Sequence, residues 1–439
     1  MSTIETDVVV VGGGTAGIAA ARAATKGDVM VVLVEAARFG EPRALLGWRV
    51  LERTVGRHLA RGEAKRAPVW DEARAELARL AALREERLEL RLADAGVEAL
   101  RGRARFTSPR SLEVEGGAEV RFDHAVIAAG AGAAPLDGDA PDGRRLATPE
   151  QLLDLPALPP EVIVVGGGAA GAELVDALAQ LADVEVTWIM DELGILPSFD
   201  RELAEALADV LLGRGVKLVH GKRVTHVTAE AHRAVVRLDG GHGYDGPLAV
   251  ICAGRRAPPP SSLGLDALGL DALDVDERLA TRLEHVFAAG EITGHCPSAA
   301  HAEAMGRLAG RAAAGREVRP WDPRQIPEIV RSHPQLAQVG MTPDLLAGRE
   351  VVIYTARTEE ALGGLLEGVG EGADRKGFVR LACDSSTGQV LGLSAAGPGA
   401  ATMASSAAIA LRLGATDEAL ADVFGDVPGA LGALFAALR

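Results

Sequence analysis

Residues 8–17 read Val8-Val9-Val10-Val11-Gly12-Gly13-Gly14-Thr15-Ala16-Gly17, an apolar β-branched run that leads into G-x-G-x-x-G spacing and an alanine-rich stretch. In such a turn the first glycine permits a tight bend, the second lets the backbone approach a pyrophosphate, and the third lets the helix pack on the strand. Free N–H groups and the dipole at the start of the helix favour phosphate. The stretch therefore predicts a βαβ unit that binds a dinucleotide.

The same pattern recurs about one domain later, as Val162-Ile163-Val164-Val165-Gly166-Gly167-Gly168-Ala169-Ala170-Gly171. A single glycine turn also describes an ordinary strand-to-helix connection, but two of them indicate two dinucleotide-binding domains. Glu35 ends the second strand of the first unit. A carboxylate at that position is predicted to accept both hydroxyls of an adenosine ribose, the alternative being a surface glutamate at a strand end.

Composition limits the class of protein. The 439 residues suffice for two or three domains, and a net charge of -15 argues against nucleic acid or an anionic membrane as the main partner. The three cysteines show neither a disulphide framework nor a zinc pattern, so no metal site is expected and a reducing cytoplasm is favoured. The polar residues 1–7 do not resemble a signal peptide, and no apolar run approaches the ~20 residues of a membrane span. We expect a cytoplasmic protein that acts on a small molecule.

Further motifs follow in a recognisable order. They are Ala128-Ala129-Gly130, Ala253-Gly254-Arg255, Ala289-Gly290-Glu291 and Ser332-His333-Pro334-Gln335-Leu336-Ala337-Gln338-Val339-Gly340. Together with the two glycine turns, this order resembles the pyridine nucleotide–disulphide oxidoreductases over essentially the whole chain. The resemblance implies an α/β fold with two Rossmann-like domains and a C-terminal α+β interface domain. It places an FAD domain at 1–150 and 275–319, an NAD(P) domain at 151–274, and a dimerisation domain at 320–439, so a homodimer is expected.

The resemblance also assigns cofactor-binding residues. For non-covalent FAD they are Gly12, Gly14, Gly17, Glu35, Gly40, Gly130, Gly290 and Glu291, and for NAD(P)H they are Gly166, Gly168, Gly171 and Asp191. Glu173 matches the acid that in the family lies near the nicotinamide and pairs with a lysine. Met190 stands where the ribose-binding acid is expected, which leaves Asp191 as the candidate. No arginine is placed for a 2′-phosphate, so NADH is favoured over NADPH.

The departures from the family are informative. In a gapless reading Arg43 and Trp48 occupy the positions of the two redox cysteines, and Glu52 occupies the position of the lysine. The closing His-Pro-x-x-x-Glu of the family corresponds to residues 427–432, where Val427 and Gly432 replace the histidine and the glutamate. Because a thiolate is the nucleophile in dithiol chemistry, the chain is not expected to reduce disulphides.

Several roles stay open at this stage. Either Arg49 or Arg53 replaces the lysine beside Glu173. Trp48 either stacks on the flavin or lines a substrate pocket, or it fills the core. Arg43 binds a substrate anion or is solvated, and Ala169, where many relatives carry a tyrosine, either widens the nicotinamide-side pocket or reflects drift. Trp48, Arg43 and Glu173 are the candidate catalytic residues.

Three functions are compatible with these residues. The favoured one is an FAD-dependent oxidoreductase that passes electrons from NAD(P)H through flavin to a small acceptor such as a quinone. The alternative is a repurposed FAD-containing enzyme that catalyses a non-redox cyclisation or isomerisation in a biosynthetic pathway, by orientation and exclusion of water. A non-catalytic binding protein is the third, and the intact FAD motifs argue against it.

Overall fold

The computed structural model describes residues 2–40, 43–62, 64–357 and 377–423. These residues form two compact units. The first comprises Met1–Gly47, Ala75–Ala134 and Arg255–Pro323, and the second comprises Trp48–Arg74, Pro135–Gly254 and Arg324–Arg439.

The first unit is built on a seven-stranded sheet with strand order β3-β2-β1-β6-β5-β4, and β17 pairs with β6. The strands are β1 (Ser2–Val11), β2 (Val31–Glu35), β3 (Val97–Arg101), β4 (Ala104–Ser108), β5 (Ser111–Val114), β6 (Ala118–Ile127) and β17 (Val286–Ala288). Strands β3, β2, β1, β6 and β17 run parallel, whereas β5 and β4 form an antiparallel extension. A two-stranded ribbon joins β7 (Gly132–Ala133) to β16 (Arg255–Arg256). The first glycine turn thus lies at the carboxyl end of a central strand.

Two apolar cores cover the two faces of this sheet. Because alternate residues of β1 point to opposite faces, neighbouring residues of the strand lie in different cores. Val8 and Val10 lie in one core, and Val9 and Val11 lie in the other. The helices of this unit are α1 (Thr15–Ala24), most of α3 (Arg66–Asp94), α7 (Pro260–Leu263) and α8 (Ala299–Ala313). Helices α1 and α8 pack closely, since a Cβ on Gly306 or Gly310 would collide with the carbonyl oxygen of Ala16 or Ala20.

The second unit repeats the βαβ design in a five-stranded parallel sheet of order β11-β10-β9-β15-β8. Its strands are β8 (Leu146–Ala147), β9 (Glu161–Val165), β10 (Glu185–Ile189), β11 (Lys217–Val219) and β15 (Ala249–Ile251). A three-stranded antiparallel sheet contains β12 (Val224–Ala229), β13 (Ala234–Leu238) and β14 (Gly243–Gly246). These two sheets share one buried apolar cluster.

A five-stranded antiparallel sheet completes the described part of the second unit, in the order β18-β19-β22-β21-β20. Its strands are β18 (Glu328–Val330), β19 (Leu336–Gly340), β20 (Val351–Arg357), β21 (Phe378–Asp384) and β22 (Val390–Ala396). The helices of the unit are most of α2 (Arg43–Leu59), α4 (Pro149–Leu152), α5 (Ala169–Ala179), α6 (Arg201–Gly213), α9 (Ala400–Leu413) and α10 (Asp417–Ala421). Alanines of α9 pack on this sheet in a separate core.

The sequence-based expectations for these elements agree with the structure. Both glycine turns connect a buried parallel strand to a helix. The mixed α/β class is confirmed, and the proposed domain boundaries at 150, 275 and 320 stay a prediction. Within the described ranges, no helix combines the length and apolar character needed to cross a membrane.

Candidate functional site

The first glycine turn, residues 12–17, has the geometry that the sequence predicts. Gly12 has φ +106°, and a Cβ there would collide with the Ala128 carbonyl, which links the turn to the end of β6. A Cβ on Gly17 would collide with the Gly12 carbonyl, so helix α1 is seated directly on the turn. Gly14 is the N-cap of α1 and has no side-chain cap. The first backbone N–H groups of α1 are therefore presented without a competing side chain, as a pyrophosphate site requires.

Glu35 reaches this turn from the end of β2. Its Oε2 accepts a hydrogen bond from Gly13 N at 2.5 Å, and its Oε1 accepts one from Ala37 N at 2.7 Å. Gly40, with φ +128°, donates its N–H to the Gly13 carbonyl at 2.9 Å. The carboxylate is thus held in place at the glycine turn by two backbone donors.

The residues of the turn fit a bound dinucleotide. Thr15 Oγ1 is buried and has no hydrogen-bond partner among the described residues, so a polar group is left for a ligand at the first residue of α1. Gly130 has φ +69°, and the position of its missing Cβ is open space. An orphaned hydroxyl beside uncapped helix N–H groups is what an FAD pyrophosphate would satisfy.

Glu291 has a partner that sequence reasoning missed. It follows Gly290, which has φ +84°, and its Oε2 accepts a hydrogen bond from Arg255 Nε at 2.9 Å. Arg255 also donates to the Ala131 carbonyl. The predicted contact of Glu291 with the flavin ribityl chain stays a prediction, since its carboxylate is already ion-paired here.

The second glycine turn, residues 166–171, repeats the first. Gly166 has φ +114° and abuts the Cys252 carbonyl, Gly168 caps α5 without a side chain, and Gly171 abuts the Gly166 carbonyl. The Gly167 carbonyl accepts a hydrogen bond from Leu196 N at 2.8 Å, just as the Gly13 carbonyl accepts one from Gly40. The described geometry suits a second pyrophosphate.

The two turns differ at the ribose position. Met190 is buried at 2% exposure, while Asp191 is exposed and its Oδ1 accepts a hydrogen bond from Leu193 N at 3.0 Å. The Asp191 carbonyl accepts from Gly221 N at 3.1 Å, which brings the exposed, basic stretch His220-Gly221-Lys222-Arg223 beside it. The sequence did not reveal this neighbour, because it follows a different strand, β11.

Glu173 forms an ion pair near the start of α5. Arg49 Nη2 donates to Glu173 Oε2 at 2.5 Å, and Arg49 Nη1 donates to Glu52 Oε2 at 2.7 Å. Arg331 N donates to the other Glu173 oxygen at 2.9 Å. Of the two arginines that sequence analysis left open, Arg49 takes the place beside Glu173, and Arg53 is exposed.

A second polar contact lies one turn further along α5. Asp176 is 1% exposed and accepts hydrogen bonds from Arg214 Nη1 at 2.8 Å, from His333 Nδ1 at 3.0 Å and from the His333 backbone N at 3.1 Å. The hydrogen bond to Asp176 raises the pKa of His333, against an opposing effect of burial. Asp176 therefore fixes the segment that joins β18 to β19 against α5.

The remaining predicted catalytic residues lie on α2. Trp48 is 5% exposed, a burial that both the pocket and the core-filler interpretations allow. The backbone of Arg43 begins α2, and its side chain lies outside the described structure. Val427 and Gly432, at the expected positions of the family's histidine and glutamate, also lie outside the described residues.

The three cysteines lie in environments that disfavour the thiolate form. All are free thiols: Cys252 and Cys383 are buried, and Cys296 is partly buried. Burial raises the pKa of each thiol to about 12. Since the thiolate is the reactive form of cysteine, these raised pKa values disfavour nucleophilic chemistry at the three thiols near neutral pH.

Comparison with known proteins identifies the class. Residues 6–306 match the family model described as pyridine nucleotide-disulphide oxidoreductase, and residues 326–432 match the dimerisation domain of the same family. The chain belongs to the pyridine nucleotide-disulphide oxidoreductase family. It is an FAD-dependent oxidoreductase, and FAD and NAD(P)H are the cofactors of the family, as the sequence motifs predicted.

Individual relatives cover nearly the whole chain. An NAD(P)H dehydrogenase (quinone) from Mycobacterium tuberculosis is 29% identical over 99% of this chain and 93% of its own length. A dihydrolipoyl dehydrogenase from Chlorobaculum parvum is 28% identical over 95% of this chain and 93% of its own. Among solved structures, LpdA from M. tuberculosis superposes with a TM-score of 0.90 at 28% identity, and 99% of both chains is covered.

Proposed function

We propose that this protein is an NADH-dependent flavin reductase of small organic acceptors such as quinones, and that it works without dithiol chemistry. The Arg49–Glu173 ion pair carries the proposal, because it preserves a charge pair near the start of α5 although no redox cysteines precede it on α2. The quinone-reducing relative that spans the whole chain supports the choice of acceptor.

The reaction takes one hydride from NADH and one proton, and it converts a quinone to a hydroquinone. Bound FAD would supply the two-electron chemistry that links NADH to the acceptor. In the first unit, the adenosine and pyrophosphate end of FAD would be held by Gly12, Gly14, Gly17 and Glu35. The other residues proposed to bind FAD are Gly40, Gly130, Gly290 and Glu291.

The second unit positions the nicotinamide. Gly166, Gly168 and Gly171 present α5 N–H groups to the pyrophosphate of NADH, and Asp191 is the proposed ribose acid. Glu173, locked by Arg49 and by the Arg331 amide, would orient the nicotinamide end. Trp48 is proposed to line the acceptor pocket, and Arg43 at the first turn of α2 is retained as a candidate contact.

Thiols are not needed for this route. A dithiol mechanism requires two cysteines close in sequence or space and a populated thiolate. The cysteines here are at 252, 296 and 383, all are free, and their pKa values lie near 12. Direct transfer from flavin to acceptor explains why their absence from α2 is tolerated.

The preference for NADH rests on Asp191, whose charge would repel a 2′-phosphate. Steady-state kcat/KM for NADH and NADPH tests it, and a higher value for NADH is expected. A higher value for NADPH that falls when Lys222 is changed to alanine would instead assign the basic stretch 220–223 to the phosphate and overturn the preference.

The proposed homodimer uses the C-terminal region, which carries the family's dimerisation domain. Ile409 and Leu413 on α9 are exposed apolar residues, 63% and 78% accessible in the single chain. Light scattering at micromolar concentration is expected to give twice the chain mass of 45.4 kDa. A mass of one chain would contradict the proposal.

The experiment that tests the function is anaerobic mixing of the yellow holoenzyme with NADH, followed by a quinone. Bleaching of the flavin absorbance, and its return on addition of the quinone, are expected. A flavin that NADH does not bleach would refute the reductase and favour a non-redox use of FAD.

A further inference from the structure

Arg331 has an unusual position beside the Arg49–Glu173 pair. Its backbone N–H donates to Glu173 Oε1 at 2.9 Å, which fixes residue 331 next to α5. Its side chain is half-buried, and its guanidinium has no hydrogen-bond or ion-pair partner within the described parts of the chain. A partly buried cation usually has a partner, because desolvation of an unpaired charge is costly.

The charges around Arg331 act on its guanidinium in opposite directions. Burial lowers the pKa of the guanidinium, and the like charge of Arg49 lowers it further, while Glu173 and Glu52 act in the opposite sense. Both carboxylates are already engaged by Arg49, and Glu173 also accepts the Arg331 amide. The two acids are thus committed to other donors.

A second unused donor lies in the same cluster. Arg49 Nε is buried and has no acceptor among the described residues, although both of its terminal nitrogens are bonded. Arginine donors are suited to planar anions such as carboxylate, and they also bind sulfonate oxygens. Two guanidinium groups therefore offer free donors at one place in the second unit.

We propose that Arg331, assisted by Arg49 Nε, is a specificity determinant that binds an anionic substituent of the acceptor, a carboxylate or a sulfonate on an aromatic or quinonoid ring. The identification of the ligand as the electron acceptor rests on the proposed function. The anion site itself rests on the contacts of Arg331 and Arg49. In the proposed function Glu173 orients the nicotinamide end, so an anion bound by Arg331 would lie beside the residue of the second unit that serves the cofactor.

The test compares two acceptors that differ in charge, neutral menadione and anionic 1,4-naphthoquinone-2-sulfonate. Arg331→Met should raise KM for the sulfonate at least tenfold and leave KM for menadione within about twofold. Arg331→Lys, which keeps the charge, should recover most of the loss. Arg237→Met, at an exposed position on β13, is the matched control and should behave as the parent enzyme.

Equal changes for both acceptors, or no change for either, would overturn the proposal. Flavin content and circular dichroism establish that the variants fold. If the parent enzyme reduces neither quinone, the proposed function fails, and the anion site is judged by calorimetric titration of the holoenzyme with naphthalene-2-sulfonate. Tenfold weaker binding to Arg331→Met supports the site, and absent or unchanged binding refutes it.

Discussion

Arg49 Nη2 lies 2.5 Å from Glu173 Oε2, although the sequence places these residues on different elements, α2 and α5. Glu173 is 9% exposed and Arg49 is 22% exposed at the side chain, so the pair is largely removed from solvent. In the gapless reading of the sequence the family's lysine is expected at position 52, where this chain has Glu52, which Arg49 also binds. Arg49, one helical turn earlier, is the cation that pairs with Glu173.

We predict that Arg49→Met slows flavin reduction by NADH at least tenfold at saturating FAD. A hydrogen bond between charged groups contributes about 1.5–3 kcal/mol, and loss of the arginine leaves the Arg331 amide as the one donor to Glu173 among the described residues. Rapid-mixing absorbance at the flavin band measures the rate. Arg49→Lys should recover part of it, and Arg53→Met, which removes an exposed arginine from the same helix, should leave it unchanged. A normal rate in Arg49→Met would show that flavin reduction does not depend on the Arg49–Glu173 pair.

Glu35→Ala should weaken FAD binding about tenfold or more. The carboxylate accepts hydrogen bonds from Gly13 N and Ala37 N. Its removal leaves both backbone donors without this acceptor, and the glycine turn is no longer held in its conformation. Apo-protein titrated with FAD by fluorescence quenching gives the affinity, and Glu35→Gln, which keeps one acceptor oxygen, should show a smaller loss. Undiminished affinity in Glu35→Ala would move the ribose contact to another residue.

Trp48→Ala distinguishes the two interpretations of that side chain. An aromatic contact with the flavin or substrate is worth about 0.5–1.5 kcal/mol beyond the buried area, so we expect a shifted flavin spectrum and a raised acceptor KM. Trp48→Phe, which keeps an aromatic ring, should retain most of the parent's flavin spectrum and acceptor KM. If the variant is less stable to heat but its spectrum and turnover are those of the parent, Trp48 fills the core.

His333 predicts a pH-dependent contribution to stability. Asp176 raises the pKa of the imidazole above its usual 6.5, with Arg214 opposing, so protonation favours the folded state. The contribution is fully present below about pH 6.5 and disappears as pH rises through the raised value. The side chain is 47% exposed, so solvent screens the pair and the effect is modest.

The corresponding experiment is thermal unfolding of His333→Gln across pH. The variant should melt about 1–3 °C below the parent at pH 5.5, and the difference should shrink by pH 9. A difference that grows toward alkaline pH would show that neutral His333 is the stabilising form.

Much of the fold could be predicted from local pattern. β-Branched runs followed by glycine turns specify strand, turn and helix within a few residues, and Glu35 lies at a fixed spacing from Gly17. The site was harder, because its contacts join distant segments. The Arg49–Glu173 pair was one of two options, and the neighbours Arg331, Arg255 and the stretch 220–223 became apparent only when strands and helices were assembled. Spacing along one element carries no information about which side chain from another element arrives beside it.

A reductive titration of the alkylated holoenzyme shows whether the flavin reduces quinones without a working dithiol. After all three cysteines have been blocked under mild denaturation and FAD content restored, anaerobic NADH titration should consume two electrons per FAD. Quinone turnover should match that of the untreated enzyme. Uptake of four electrons per FAD by the untreated enzyme, with loss of quinone turnover on alkylation while FAD stays bound, would show a redox-active disulphide and contradict the account.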